Sequence, residues 1–280
     1  MSENPVPIVS EKDPEAAEFV KRHIAPPSFS DKEAERAYIK ERLAAGIRIF
    51  GKLNFDHGVA GHLSVRDPVD PETYWVNPLG KSFKLMTVSD LVRVDKDGNV
   101  IGGGQPGWRI ANKAGFVIHS SIHRSRPDAM AICHAHTPYG KAFAALGKNL
   151  EMITQDSCAF YNDLALYNNF GGMAVKEEEG KQIAEALGNC KAGILQNHGL
   201  ITVGGSIESA VAWFIMLEEE CRVQLLADAA SANRGAPTLK ISHEEAQSTH
   251  QGIGLDAAGY FKGKPYFEAI EAEFGHHFKQ

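Results

Sequence analysis

Apolar positions along the chain change period several times, and each change predicts an element. Residues 1–29 carry Pro, Glu and Ser without apolar periodicity and read as an extended arm. Ile39, Leu43, Ile47 and Phe50 then fall on one stripe at helical spacing. Ser30 and Glu33 make a capping-box pattern at the start of that helix, each side chain satisfying an otherwise orphaned backbone N–H. Residues 59–101 read as strands, with Asp97-Gly98 as a hairpin turn, because a tight primed turn needs residues that tolerate positive φ. A helix is expected over about 111–125, packing Phe116, Ile118 and Ile122, and Pro127-Asp128 stops it.

The segment AMAICHAH, residues 129–136, alternates as a strand does. Met130, Ile132, His134 and His136 share one face, and Ala131, Cys133 and Ala135 share the other. Thr137 is expected to cap the next helix, Pro138 suits its first turn and Gly147 ends it. Downstream, EEEGKQIAEAL predicts a short amphipathic helix, and the run Glu177–Glu179 fits its first turn, where negative charge suits the dipole. AGILQ and LITVGG predict two strands around the turn Asn197-His198-Gly199, and a long helix runs from Ser206 to about Ala232. In that helix the run 218–220 is expected on a solvated face or at a subunit contact. Residues 238–280 form a polar tail with a few aromatics that wraps the domain or a neighbouring subunit. The economical division is an arm (1–29), one central α/β domain (30–237) and a tail (238–280).

Bulk properties narrow the function classes. The chain of 280 residues, 43% hydrophobic and 23% charged, has the make-up of a soluble globular protein. A net charge of −6 gives no electrostatic case for nucleic acid or an anionic membrane as partner. No apolar run is long enough to span a bilayer, and the N-terminus lacks a secretory layout. Four scattered cysteines fit free thiols in a reducing cytoplasm, so a cytoplasmic protein is expected. GGGQPG at 102–107 fits a dinucleotide fingerprint formally, but Pro106 and the missing strand-to-helix setting make it a loop.

The candidate chemistry lies in histidines. Two imidazoles at i, i+2 on a strand face project side by side and can converge on one ion, with each nitrogen about 2.0–2.1 Å away. Either can equally be a hydrogen-bonded core side chain. His198, in a loop between two apolar runs, completes three neutral nitrogen ligands and leaves positions open for water or substrate.

The stretch HSSIHRSRPDAMAICHAHTPYGKAFAALG resembles the HxH segment of class II aldolase/adducin proteins. ILQNHGLITVGGSIESAVAWFIMLEEECRVQLLA resembles that family's NHG turn and following long helix. GHLSVRDP and DLVRVDKDGNV match its N-terminal sheet. The resemblance covers about residues 35–230. It implies a three-layer α/β/α sandwich around a mostly antiparallel sheet. It also implies a homotetramer with sites between subunits, and a divalent ion (Zn²⁺, with Fe²⁺ and Mn²⁺ as alternatives) held by His134, His136 and His198. The implied activity is of lyase type: aldol cleavage, decarboxylation or epimerisation of a small carbonyl compound through a metal-stabilised enediolate.

Two departures qualify this. Gly115 stands where catalytic relatives carry an acid/base glutamate. NPLG (Asn77 to Gly80) stands where sugar-phosphate aldolases have a Ser-Gly turn, and His62 replaces a common asparagine, so a substrate without phosphate is expected. His119, four residues before His123 on one helix face, is the candidate acid/base in place of the glutamate. Tyr139, Asp156 and Tyr161 are further candidates. Two rivals remain: an adducin-like scaffold module with an actin or cytoskeletal partner, and a non-haem iron oxygenase, since three histidines without a carboxylate suit Fe²⁺ as well as Zn²⁺.

Overall fold

A computed structural model describes Glu15, Phe19, residues 23–172 and residues 177–280. Most of the predicted arm lies outside these residues; within them, 26–29 have no regular secondary structure. The first long helix, α1 (Lys32–Lys52), begins one residue later than the capping-box pattern implies. Asp31 is the cap, its carboxylate accepting from the Glu33 N–H. The Glu33 side chain turns instead to the Arg36 guanidinium, so the reciprocal half of the box is not made.

Eight strands follow: β1 (His62–Arg66), β2 (Tyr74–Val76), β3 (Val92–Val94), β4 (Val100–Gly103), β5 (Ala131–Ala135), β6 (Leu164–Tyr167), β7 (Ala192–Leu195) and β8 (Gly199–Gly204). They form one sheet in the order β4-β3-β2-β1-β5-β8-β7-β6, antiparallel except for the β6–β7 pair. The β3–β4 turn falls where expected but is not a primed one: only Gly98 takes positive φ (+76°), and Asp95 accepts from its N–H while pairing with Asn99 across the loop.

Two helical layers cover the sheet. Helices α2 (Lys113–Ser125) and α4 (Glu177–Leu187) pack Ile118, Ile122 and Ile183 against Ile132, Ile201 and Val203. On the other face, α1 and α5 (Ile207–Arg234) enclose Leu43, Phe50 and Phe214 with Ala131, Cys133 and Ala135. The alternation predicted along β5 thus divides its side chains between two cores. The strand stops at Ala135, however, which leaves His136 in the turn that opens α3 (Pro138–Ala144).

The C-terminal segment is two helices, α6 (His243–Ile253) and α7 (Asp256–Phe274), and it wraps its own domain. Phe267, Ile270 and Phe278 are buried in the main core, and Arg42 of α1 binds Glu271 at 2.9 Å. Fully burying one such apolar side chain contributes about 1.5–3 kcal/mol, enough to hold the tail against the domain. The architecture is the three-layer α/β/α sandwich expected.

Candidate functional site

The three histidines meet where β5 ends and β8 begins. His134, on β5 and 1% exposed, points to the side of α2 and α4. Its Nδ1 lies 2.8 Å from the Leu200 carbonyl on the paired strand β8. A carbonyl only accepts, so Nδ1 carries the proton and Nε2 presents a lone pair. His136 follows directly and brings its Nε2 to 3.1 Å from that atom. His198 occupies the three-residue β7–β8 hairpin loop, where the His198 N–H closes a turn on the Leu195 carbonyl.

Two residues of that turn have distinct parts. Asn197 supplies the positive φ (58°), and Gly199 is needed because a Cβ there would stand 2.7 Å from the Ala135 carbonyl. That close approach of two strand ends presses His198 toward His134 and His136. One ligand atom from each of the three lies within 4.8 Å of the others.

The donor set fits a divalent transition ion. Ligands about 2.0–2.1 Å from a common centre stand roughly 3 Å apart, which is the separation of the His134 and His136 nitrogens. Protonation is also right. Burial pushes His134 well below the usual imidazole value and His198 down to about 4. His136 is lowered by burial and then by the nearby Lys141 and His57 charges. All three are neutral at pH 7, the form that binds metal.

His119 is placed one ring behind this cluster. It is fully buried, with Nε2 2.8 Å from Nδ1 of His62 and Nδ1 2.7 Å from the Ser64 hydroxyl. Both its nitrogens are used inside the protein, so its part in the site runs through His62. His123 lies deeper, between Ser64 and the Ala129 carbonyl.

The remaining candidates are elsewhere. Tyr139 is 40% exposed with Arg222 over its ring. Asp156 pairs with Lys262 at 3.8 Å, and Tyr161 contacts His243, both partners on the C-terminal helices.

Two contributors escaped the sequence reading. Glu218 is not on a solvated face but 5% exposed, accepting from the Thr137 hydroxyl and from the N–H groups of Tyr139 (3.0 Å) and Gly140 (2.7 Å). Thr137 therefore does not cap α3 with its own hydroxyl. A carboxylate from α5 does so, better suited to the positive end of the helix. Glu220 is likewise buried and bound by Thr154. Ser64, the hydroxyl between two buried imidazoles, is the second; an alternating strand gives no sign of it.

A mostly antiparallel three-layer sandwich with an HxH strand and an NHG hairpin converging at one sheet end defines a class of protein, and the comparisons agree on it. Residues 41–225 match the Class II Aldolase and Adducin N-terminal domain. The chain belongs to the class II aldolase/adducin family. It is 42% identical over 248 residues to decarboxylase NovR of Streptomyces niveus, covering 88% of this chain and 89% of that one. It is also 42% identical, over 88% of this chain and 87% of the relative, to a protein of Streptomyces roseochromogenus subsp. oscitans. That relative is named 4-hydroxy-3-prenylphenylpyruvate oxygenase/4-hydroxy-3-prenylbenzoate synthase. Among solved structures, L-fuculose 1-phosphate aldolase from Glaciozyma antarctica PI12 superposes with a TM-score of 0.85 at 54% identity, over 92% of this chain and 98% of that one.

Proposed function

We propose that this chain is a metal-dependent lyase acting on a small, non-phosphorylated, oxygenated carbonyl compound. His134, His136 and His198 would hold the ion, zinc first and manganese or iron(II) as alternatives. The observation that carries this reading is the convergence of three neutral imidazole nitrogens within 4.8 Å. A divalent ion bound there supplies Lewis-acid stabilisation of negative charge that develops on oxygen when a bond next to a carbonyl breaks.

The chain's own residues do the rest. The Leu200 carbonyl fixes the ring of His134, and the Gln196–His198 loop brings the third ligand to the sheet end. Such anchoring of a ligand's second nitrogen typically governs metal affinity by about 10–100-fold.

The likeness to a sugar-phosphate aldolase raises the question of a phosphate. Around the turn at residues 77–80, two polar side chains are engaged within the protein. The Asn77 side chain, 6% exposed, accepts from the Leu63 N–H at 3.0 Å, and Lys81 is bound to Asp90. No hydroxyl stands in that turn to anchor a phosphate. A homotetramer completes the proposal, supported by the exposed Trp108 and Ile110. Among the described residues no helix is long and apolar enough to cross a membrane.

A second reading, oxidation by iron(II) and dioxygen, is favoured by a candidate ligand set that contains no carboxylate and by the oxygenase name of one relative. Elemental analysis of protein purified without chelator separates the two. One equivalent of zinc or manganese supports the lyase; iron with oxygen uptake on turnover supports the oxidation. Metal-free protein that takes up no added zinc sinks both and leaves the scaffold alternative. The double variant His134→Ala/His136→Ala should retain the far-UV spectrum and carry no metal. Tight binding of L-fuculose 1-phosphate to the loaded protein would overturn the non-phosphorylated substrate class.

A further inference from the structure

A Cβ built on Gly115 would lie 2.0 Å from Nε2 of His62, a separation no two non-bonded atoms adopt. The imidazole of His62, reaching across from β1, therefore fills the space in which any side chain at position 115 would begin. His62 is paired with His134 in the β1–β5 register, their rings 5.0 Å apart on the same sheet face.

The hydrogen bonds behind that ring fix its tautomer. At the far end the Ala129 carbonyl can only accept, so Nδ1 of His123, 2.9 Å away, carries the proton. Nε2 of His123 then accepts from the Ser64 hydroxyl at 2.9 Å. Having given its one proton, that oxygen accepts from Nδ1–H of His119 at 2.7 Å. Nε2 of His119 in turn accepts from Nδ1–H of His62 at 2.8 Å. The direction of these bonds is set at His123, which is held against a carbonyl that can only accept and which burial keeps neutral, lowered to about 3.

What emerges at the near end is a lone pair on Nε2 of His62. That atom has no hydrogen-bond partner among the described residues, yet it is not one of the buried polar atoms sealed off without a partner. We propose that His62 Nε2 is a hydrogen-bond acceptor beside the three-histidine cluster, receiving the O–H of a substrate hydroxyl in place of a side chain at position 115. His119, Ser64 and His123 are positioning residues that hold its proton on the other nitrogen. The proposal rests on the metal-centre reading for what approaches His62, but not for the tautomer.

Histidine ¹⁵N spectra of metal-free protein, with His62 assigned by difference from His62→Asn, test the tautomer directly. The expected pattern is pyridine-type Nε2 and N–H at Nδ1; the reverse, or an imidazolium, overturns the proposal. Adding dihydroxyacetone to the zinc-loaded protein should move the Nε2 signal upfield, as a lone pair that gains a hydrogen bond does, and an unchanged signal overturns it. Steric exclusivity is read by a double-mutant cycle. Gly115→Ala should lower the melting temperature by about 5 °C, and His62→Asn should cancel most of that loss; simple additivity overturns the assignment. Failure of wild-type protein to bind zinc would sink the metal centre while leaving the apo-protein spectra and the cycle to decide this inference.

Discussion

The two sets of histidines on the α2 side of the sheet are neighbours in space and opposites in chemistry. His134, His136 and His198 turn nitrogens toward a common centre, and two of them stay partly open to solvent. His119 and His123 use both nitrogens in hydrogen bonds and are 0% and 1% exposed. The residue type is the same, and the burial that keeps all five neutral is similar in kind. What separates a ligand from a strut is where the second nitrogen goes. His62 stands between the two sets, one nitrogen bound to His119 and the other without a hydrogen-bond partner among the described residues.

The sharpest way to break this contrast is to remove one member from each side and compare readouts. His198→Ala should lower zinc affinity about 10³-fold, since one of three ligands is lost. Metal-free stability should change by less than about 1 kcal/mol, because the side chain sits in a partly exposed hairpin loop. Competition against a chromophoric chelator measures the first quantity and urea unfolding of the apo-protein the second. A large stability loss with affinity retained would mean that His198 is a strut.

Ser64→Ala should give the reverse result. Ser64 is fully buried, and its loss leaves Nδ1–H of His119 and Nε2 of His123 facing each other's former partner with nothing to bind. Two unsatisfied buried groups cost about 2–4 kcal/mol. Zinc stoichiometry should stay at the wild-type value.

How much of this was readable beforehand follows the same division. The meeting of His134, His136 and His198 was partly legible because a strand and a turn motif are local signals, although the strand ends at Ala135, before His136. The strands β5, β7 and β8 and the long helix α5 were legible for the same reason, whereas the order of strands in the sheet and the two C-terminal helices were not read from the sequence. The relay was not. Ser64 and His62 come from β1 and His119 from α2, and only the packing of helix on strand brings them together. Gly115 could be read as a missing carboxylate, but not as a space already taken by another ring. Glu218 was misread because three acidic residues on a helix suggest solvent, whereas the exposed end of α3 pulls one of them inward.

Glu218 sharpens the comparison at a finer level, because it supports the ligand set from outside. Glu218→Ala leaves the Tyr139 and Gly140 N–H groups without a partner in the first turn of α3, which begins two residues after His136. A stability loss of about 2 kcal/mol is expected from the lost cap and the buried donors. Zinc affinity should fall by about tenfold, as for other groups that orient a ligand without touching the ion. Calorimetry of the zinc titration at matched fold content distinguishes this from general loosening, which would lower the active fraction and leave the affinity of that fraction unchanged.

The most general effect is on pH. His123 titrates near 6.5 when unfolded, but burial, and secondarily the Arg66 charge, take it to about 3 in the folded protein. Between those values the unfolded chain binds the extra proton and the folded one does not. Stability is therefore full above about pH 6.5 and is lost as pH falls toward 3, at about 1.4 kcal/mol per pH unit for each such group. His198, with its folded value near 4, adds the same slope over a narrower window. Zinc held by the neutral imidazole of His198 would make no contact with His123, so between pH 7 and pH 5 metal should stabilise the protein without changing the slope due to His123. Urea midpoints measured from pH 7 to pH 5 with Ser64→Ala as reference test this. If removing the Ser64 hydroxyl lets His123 take up a proton, the variant's slope will be shallower than the wild type's; equal slopes would mean that burial alone keeps the ring neutral and the hydroxyl only orients it.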